Sequence, residues 1–225
     1  MGEHKQDDNL SEYYQSMRDS MVAEQMASRD ITDTRVLEAM RRVPRHLFVP
    51  ASRRDRAYDD TPLLLGEGQT ISQPYIVAWM TQLLELKGDE TVLEVGTGSG
   101  YQAAILGVLA ERVYTIERIE TLAQAAAGLL DDLGLDNVEV VVGDGSQGLP
   151  EHAPFGAILV AAGSPGVPDA LVEQLAEGGR LVIPVGSSTM QMLTVVTKKD
   201  GRMRKREVGS CVFVPLVGMY GWEKP

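Results

Sequence analysis

Residues 94–100 read Glu-Val-Gly-Thr-Gly-Ser-Gly, between an apolar run and a helical pattern. Glycines at Gly96, Gly98 and Gly100 let a backbone turn sharply and let a ligand approach it closely. In an open α/β sheet, ligands bind at such carboxyl ends of strands, where the strand order reverses. Thr97 and Ser99 place hydroxyls on the same loop. Glu117 closes the next strand, at a spacing that suits a carboxylate accepting both hydroxyls of a ribose. The glycines follow G-x-G-x-G rather than the G-x-G-x-x-G of dinucleotide-binding turns, and Glu94 stands two residues ahead of the first. A carboxylate there favours a ligand carrying an ammonium and a sulfonium over a pyrophosphate. Asp144, within Gly143-Asp144-Gly145, follows a third strand and can accept an adenine amine. On these residues alone a nicotinamide dinucleotide stays open, as does a tight turn with a capping Asp and no ligand.

The elements around these residues alternate. A helix is expected over 74–86, strands over 91–95, 112–117, 138–142, 157–161 and 180–185, and helices over 101–110, 119–133 and 168–176. Strands alternating with helices of this length imply parallel βαβ units. The last runs, 190–198 and 203–215, flank Asp200-Gly201, a hairpin-turn signal, and predict antiparallel strands. Upstream, Leu10, Tyr13, Tyr14, Met17, Met21 and Met26 form a loose helical stripe, and a short helix over 33–41 has Thr32 or Asp33 as its cap. The stretch 50–74 reads as a long ordered loop. The expected fold is therefore α/β: a doubly wound, mostly parallel Rossmann-like sheet with antiparallel C-terminal strands and an N-terminal helical cap. It reads as one domain over 1–225, with 1–75 carrying the N-terminal helices and a substrate loop, 76–187 the cofactor-binding core and 188–225 the terminal strands.

Composition limits the chemistry. With 21 Lys and Arg against 32 Asp and Glu, the formal charge is −11, which disfavours phosphate backbones as partners. The cluster Lys198, Lys199, Arg202, Arg204, Lys205 and Arg206 reads as a solvated hairpin tip. A single cysteine, Cys211, and three scattered histidines, His4, His46 and His152, give no metal site and no disulfide framework. No apolar run has the length of a membrane span and the N-terminus has no secretory pattern, so a monomer in the cytoplasm is the expectation.

Glu94, the glycine loop, Glu117 and Asp144 resemble the successive motifs of class I S-adenosylmethionine-dependent methyltransferases. Val43-Pro44-Arg45-His46-Leu47-Phe48-Val49-Pro50, Tyr58 with Asp59, and Gly68-Gln69-Thr70-Ile71-Ser72-Gln73-Pro74 narrow the likeness. With Gly143-Asp144-Gly145, Leu181-Val182-Ile183-Pro184-Val185-Gly186 and Phe213-Val214-Pro215-Leu216 they resemble the protein-L-isoaspartate O-methyltransferase family, over about residues 30–218. The resemblance implies methyl transfer from S-adenosylmethionine to the free α-carboxylate of isoaspartyl residues in damaged proteins and peptides. It implies cofactor contacts at Thr70, Glu94, Gly96, Thr97, Gly98, Ser99, Glu117, Asp144 and Gly145. Thr70, Ile71, Ser72 and Val214 would hold the substrate, Val214 through strand-like backbone pairing and Ser72 as the catalytic hydrogen-bond donor. Relatives often carry Asp where Glu94 and Glu117 stand, and some carry a histidine where this chain has Val77.

Plainer readings stand beside these. Ser72 could cap the helix that begins near Pro74. Val214 and Pro215 could simply end an edge strand, His46 reads as a packed histidine, Cys211 as core, and Trp222 has no assigned place. A peptide-tailoring methyltransferase, an RNA or amine methyltransferase and a non-catalytic nucleoside-binding scaffold are the alternatives. Against the second, Ala161-Ala162-Gly163-Ser164-Pro165 stands where an Asn/Asp-Pro-Pro-Tyr loop would be.

Overall fold

The computed structural model describes the backbone of residues 2–223 and the side chains of residues 10–223; Met1, Lys224, Pro225 and the side chain of His4 lie outside the described residues. The chain groups into two compact units, Met1–Gln82 and Leu83–Pro225.

In the first unit, α1 (Gly2–Val22) runs on into a widened π turn, Ala23–Ala27. The expected stripe is buried at Met21 and Met26, whereas Leu10 and Tyr13 are exposed. Helix α2 (Thr34–Arg42) starts where Asp33 Oδ1 accepts the amides of Arg35 (2.9 Å) and Val36 (3.4 Å), which selects Asp33 over Thr32 as cap. It buries Val36, Ala39 and Met40.

The stretch 50–74 is not a plain loop. It contains a short 3₁₀ segment, Ala51–Arg56, and an antiparallel hairpin of β1 (Leu63–Gly66) and β2 (Gln69–Ile71). Glu67 (φ 51°) and Gly68 (φ 70°) form its tip, and two positive φ angles are what a tight right-twisting hairpin requires. Because strand side chains alternate, burying Leu63 and its partner Ile71 turns Thr70 and Ser72 to the opposite face. Helix α3 (Pro74–Leu83) follows, with proline at its first position. It stops short of residue 86, and Glu85 takes a left-handed φ of 51° just beyond its end.

The second unit holds a seven-stranded sheet of order β5-β4-β3-β6-β7-β8-β9. Its elements are β3 (Thr91–Val95), α4 (Tyr101–Leu109), β4 (Arg112–Glu117), α5 (Glu120–Asp132), β5 (Val138–Val142), β6 (Phe155–Val160), α6 (Asp169–Glu173), β7 (Leu175–Gly186), β8 (Gln191–Lys199) and β9 (Arg202–Cys211). Pairing is parallel from β5 through β7 and antiparallel for β7–β8 and β8–β9. From β3 the chain winds one way to β4 and β5, then crosses back to β6 beside β3. That reversal places the ligand crevice at the carboxyl end of β3. Leu93, Val95, Ile116, Phe155, Ile158, Val160, Leu181 and Ile183 pack the core.

Helix α6 is shorter than the expected 168–176, and β7 begins at Leu175 rather than at 180. Leu175 pairs with Phe155 before a bulge restores register at Ala157 and Arg180, so ladder hydrogen bonds outcompete the helical pattern. At the β8–β9 tip, Asp200 (φ 54°) and Gly201 (φ 66°) make the expected turn. Arg202, Arg204, Lys205 and Arg206 are exposed along edge strand β9, where charge discourages pairing with another chain. Among the described residues no helix is long and apolar enough to cross a membrane.

Candidate functional site

In the second unit the loop after β3 takes the backbone path its glycines allow: φ is 96° at Gly96, 53° at Gly98 and 85° at Gly100. Glu117, at the end of β4, braces it. Its Oε2 accepts Gly98 N–H (3.0 Å) and its Oε1 accepts Ile119 N–H (2.9 Å), leaving a lone pair on each oxygen for a ribose. Ser99 Oγ accepts Tyr101 N–H at 3.3 Å. Thr97 turns inward, its hydroxyl 2.6 Å from that of Thr115, so its side chain secures the loop rather than facing a ligand.

Glu94 is wholly buried. Its Oε2 accepts Thr115 Oγ1–H at 2.5 Å, while Oε1 has no partner. Burial, with a smaller contribution from the Glu117 charge and against the Thr115 hydrogen bond, raises its carboxyl to about 8. An unmet carboxyl oxygen at the foot of a glycine loop is the acceptor a cationic ligand calls for, because a buried acceptor without a partner is costly.

Asp144 holds four hydrogen bonds. Oδ1 accepts from Ser146 N (3.0 Å) and Ser146 Oγ (2.7 Å); Oδ2 accepts from Gln147 Nε2 (3.1 Å) and Met219 N (2.8 Å). Burial works to raise this carboxyl, but these donors outweigh it and hold it below the usual range. An adenine amine arriving here must share an oxygen already in use. Gly145 is required by packing, since a Cβ there would stand 2.5 Å from Val95 Cγ1.

The donor from Met219 belongs to the chain beyond β9, which ends at Cys211 and not at Pro215 as the strand expected over 203–215 would have it. Residues 212–222 fold back on the sheet: Gly163 N–H donates to Val214 O (2.8 Å), Leu216 N–H to Gly163 O (2.7 Å), Tyr220 N–H to Ser146 Oγ (3.0 Å) and Trp222 Nε1–H to Gly163 O (3.1 Å). With its carbonyl committed, Val214 has its N–H left for strand-like pairing. Cys211 is core, as expected; burial pushes its thiol to about 11. A methyl on Gly218 would lie 2.0 Å from Asp144 Oδ1 and 2.5 Å from Ser146 Oγ. Gly218→Ala is therefore expected to lift the tail. Losing two hydrogen bonds at about 1 kcal/mol each lowers Tm by roughly 4–8 °C at this chain length. Trp222 emission should shift to the red; unchanged Tm and emission would mean that the tail does not depend on Asp144.

In the first unit, Asp60 Oδ1 accepts Tyr75 N–H (3.4 Å) and Gln73 Nε2–H (3.5 Å), so Asp60 and not Ser72 caps α3. Among the described residues of this unit the Ser72 hydroxyl has no hydrogen-bond partner, while its carbonyl accepts Arg45 Nη2–H at 2.8 Å. Ile71 is buried and pairs with Leu63 in the hairpin. His46 is packed, as the plainer reading had it. It stacks on Tyr14 with centroids 3.8 Å apart, and its Nδ1 lies 2.7 Å from Tyr58 Oη. Burial, then Arg18 and Arg54, lower its pKa to about 4, so the ring is neutral near pH 7.

Comparison with known proteins places these features in a family. The model for "Protein-L-isoaspartate(D-aspartate) O-methyltransferase (PCMT)" matches residues 16–221. A protein-L-isoaspartate O-methyltransferase from Geobacter metallireducens is 59% identical over 91% of this chain and 95% of its own. One from Methanoculleus marisnigri is 52% identical over 92% of this chain and 94% of its own. Among solved structures, a protein-L-isoaspartate O-methyltransferase superposes with a TM-score of 0.82 at 27% identity, covering 92% of this chain and 67% of that one. A Plasmodium falciparum structure described as a β-aspartate methyltransferase (PCMT) in complex with S-adenosyl-L-homocysteine gives 0.76 at 27% identity, over 88% and 96%.

Proposed function

The chain belongs to the protein-L-isoaspartate(D-aspartate) O-methyltransferase family, and we propose that it handles substrate through Thr70-Ile71-Ser72 and cofactor through the glycine loop with its acids. It is an S-adenosylmethionine-dependent carboxyl methyltransferase that acts on isoaspartyl residues. When bound, S-adenosylmethionine supplies a methyl as an electrophile on a sulfonium.

The residues divide the remaining work. Glu94 meets the positive end of the cofactor with its unpartnered oxygen, Glu117 accepts the ribose hydroxyls and Asp144 marks the adenine end. Ser99 and the glycine backbones line the path between, Thr97 and Gly145 hold it in shape, and Thr70 adds a hydroxyl from the substrate side. The observation that carries the substrate reading is the Ser72 hydroxyl, freed from helix capping by Asp60. It donates to one oxygen of the α-carboxylate and leaves the other to attack the methyl. No strong base is needed, since an α-carboxyl has a reference pKa of about 3.3–3.7 and is ionised at neutral pH. The task is alignment and exclusion of water. Val214 N–H offers the backbone pairing that tests for an extended substrate chain. A backbone amide nitrogen of the substrate then attacks the methyl ester and expels methanol, closing a succinimide without further help from the enzyme, and hydrolysis of the ring restores part of the normal linkage.

We also propose that the chain works as one methyltransferase domain, as a cytoplasmic monomer, on proteins and peptides and on neither nucleic acid nor membrane. The acidic balance and the lone buried cysteine support this. The test is methyl transfer from labelled S-adenosylmethionine to paired peptides differing only in aspartyl or isoaspartyl linkage. Base-labile label on the isoaspartyl peptide alone is expected. Label on the aspartyl peptide would assign the chain to peptide tailoring.

A further inference from the structure

Arg45 stands in the first unit in a 3₁₀ turn, Arg45–Phe48, and its side chain is wholly buried. Its Nε–H donates to Ala57 O at 2.7 Å and its Nη2–H donates to Ser72 O at 2.8 Å. One rigid planar fork thus ties two segments that are far apart in sequence. Ala57 is itself buried and precedes Tyr58, whose hydroxyl is held by His46. The Ala57 end is therefore fixed, and the fork transmits that fixity to Ser72.

Ser72 needs it. Its hydroxyl is held by no hydrogen bond among the described residues of the unit, so its place is set by its backbone. On one side that backbone is pinned by Ile71 in the hairpin, and on the other by the capped start of α3. Between them, among the described residues, the tether on the residue itself is the Arg45 guanidinium, which donates to the Ser72 carbonyl. We propose that Arg45 is a positioning residue for methyl transfer, holding the Ser72 backbone so that its hydroxyl meets the substrate carboxylate. This rests on the reading of Ser72 as the carboxylate's hydrogen-bond donor.

The geometry distinguishes arginine from lysine. Guanidinium presents donors in a fixed plane that can serve two carbonyls together, whereas an ammonium on a flexible stem is a point charge. Arg45→Lys keeps the charge and loses the fork. Displacements on the order of 1 Å cost up to about 100-fold in rate, so kcat should fall about 10- to 100-fold in Arg45→Lys. KM for an isoaspartyl peptide and Kd for S-adenosylhomocysteine should stay within about threefold, because loss of alignment acts on the reacting state rather than on uniform binding.

The decisive test is a double-mutant cycle with Ser72→Ala, reading kcat and Tm on the full chain. In the Ser72→Ala background Arg45→Lys should change kcat less than about twofold, while its effect on Tm should be the same in both backgrounds. An equal loss of kcat in both backgrounds would make Arg45 a general stabiliser and overturn the proposal, as would a normal kcat in Arg45→Lys alone. If Ser72→Ala by itself leaves kcat unchanged, the Ser72 reading fails, and that single variant identifies the failure. Should Arg45→Lys not fold, Arg45→Gln removes the buried charge, keeps one amide donor and carries the same cycle.

Discussion

Ser72→Ala lowers kcat on an isoaspartyl peptide about 10- to 100-fold, with no change in Tm beyond about 2–4 °C. The rate loss follows from removing a hydrogen bond to a charged group, about 1.5–3 kcal/mol, at 1.36 kcal/mol per tenfold. The small thermal effect is the structural part of the expectation. Had Ser72 been the cap of α3, alanine would cost about 0.5–2 kcal/mol of stability. Asp60 accepts the Tyr75 amide instead, so the helix keeps its cap when the serine hydroxyl is gone. Steady-state kinetics and a melting curve on one preparation separate the two roles. Unchanged kcat with a lowered Tm would return Ser72 to the capping role and remove it from the mechanism.

Glu94→Gln stabilises the ligand-free protein at pH 8 and abolishes a pH dependence of cofactor binding. The carboxyl is raised from 4.5 to about 8, chiefly by burial and then by the Glu117 charge. Between those values the folded chain keeps a proton that the unfolded chain has released. Stability from this group is therefore fully present below about pH 4.5, falls as pH rises, and levels off near 8. Glutamine mimics the protonated carboxyl, so its advantage in Tm grows over the same interval and is small near pH 4.5. Even about 2 kcal/mol of relief moves Tm by roughly 4–8 °C at this size. An ammonium favours the ionised carboxylate, so wild-type affinity for S-adenosylhomocysteine, which keeps the ammonium but not the sulfonium, strengthens toward pH 8, by at most about tenfold per pH unit. Titration calorimetry across pH 6–8 on both proteins checks this. Parallel profiles would assign the titration to a group other than Glu94.

What was legible in the sequence was what local pattern encodes. Strands β3, β4 and β5 fall on the expected residues, because each is rich in the β-branched residues that suit a pleated strand, whether central like β3 or at the edge like β5. The hairpin of β1 and β2 was hidden because its tip is Glu67-Gly68, and glutamate is not a residue that announces a positive φ. The cap of α3 comes from Asp60, fifteen positions before the amide it serves, so the local Ser-x-Pro pattern pointed to the wrong side chain. Glu94, the glycines and Glu117 were legible as a group because one turn and one strand end bring them together. Arg45 was visible only within a longer motif; nothing in the chain order shows that its fork reaches Ser72. Asp144 was recognised, but not its donor from Met219, since a contact across 75 positions leaves no periodic trace.

That same contact sets an order of events during synthesis. Asp144 leaves the ribosome with Ser146 and Gln147 beside it, but its fourth donor is encoded 75 positions later and the Tyr220 amide that binds Ser146 is 74 positions from its acceptor. At about 5–20 residues per second, translation needs roughly 4–15 s to cover that distance. Throughout that interval a nascent chain has β3, β4 and their glycine loop in hand while the donors that complete the Asp144–Ser146 cluster are still unwritten. A ribosome stalled before codon 219 would thus display a Rossmann-like core whose Asp144 retains an open acceptor position.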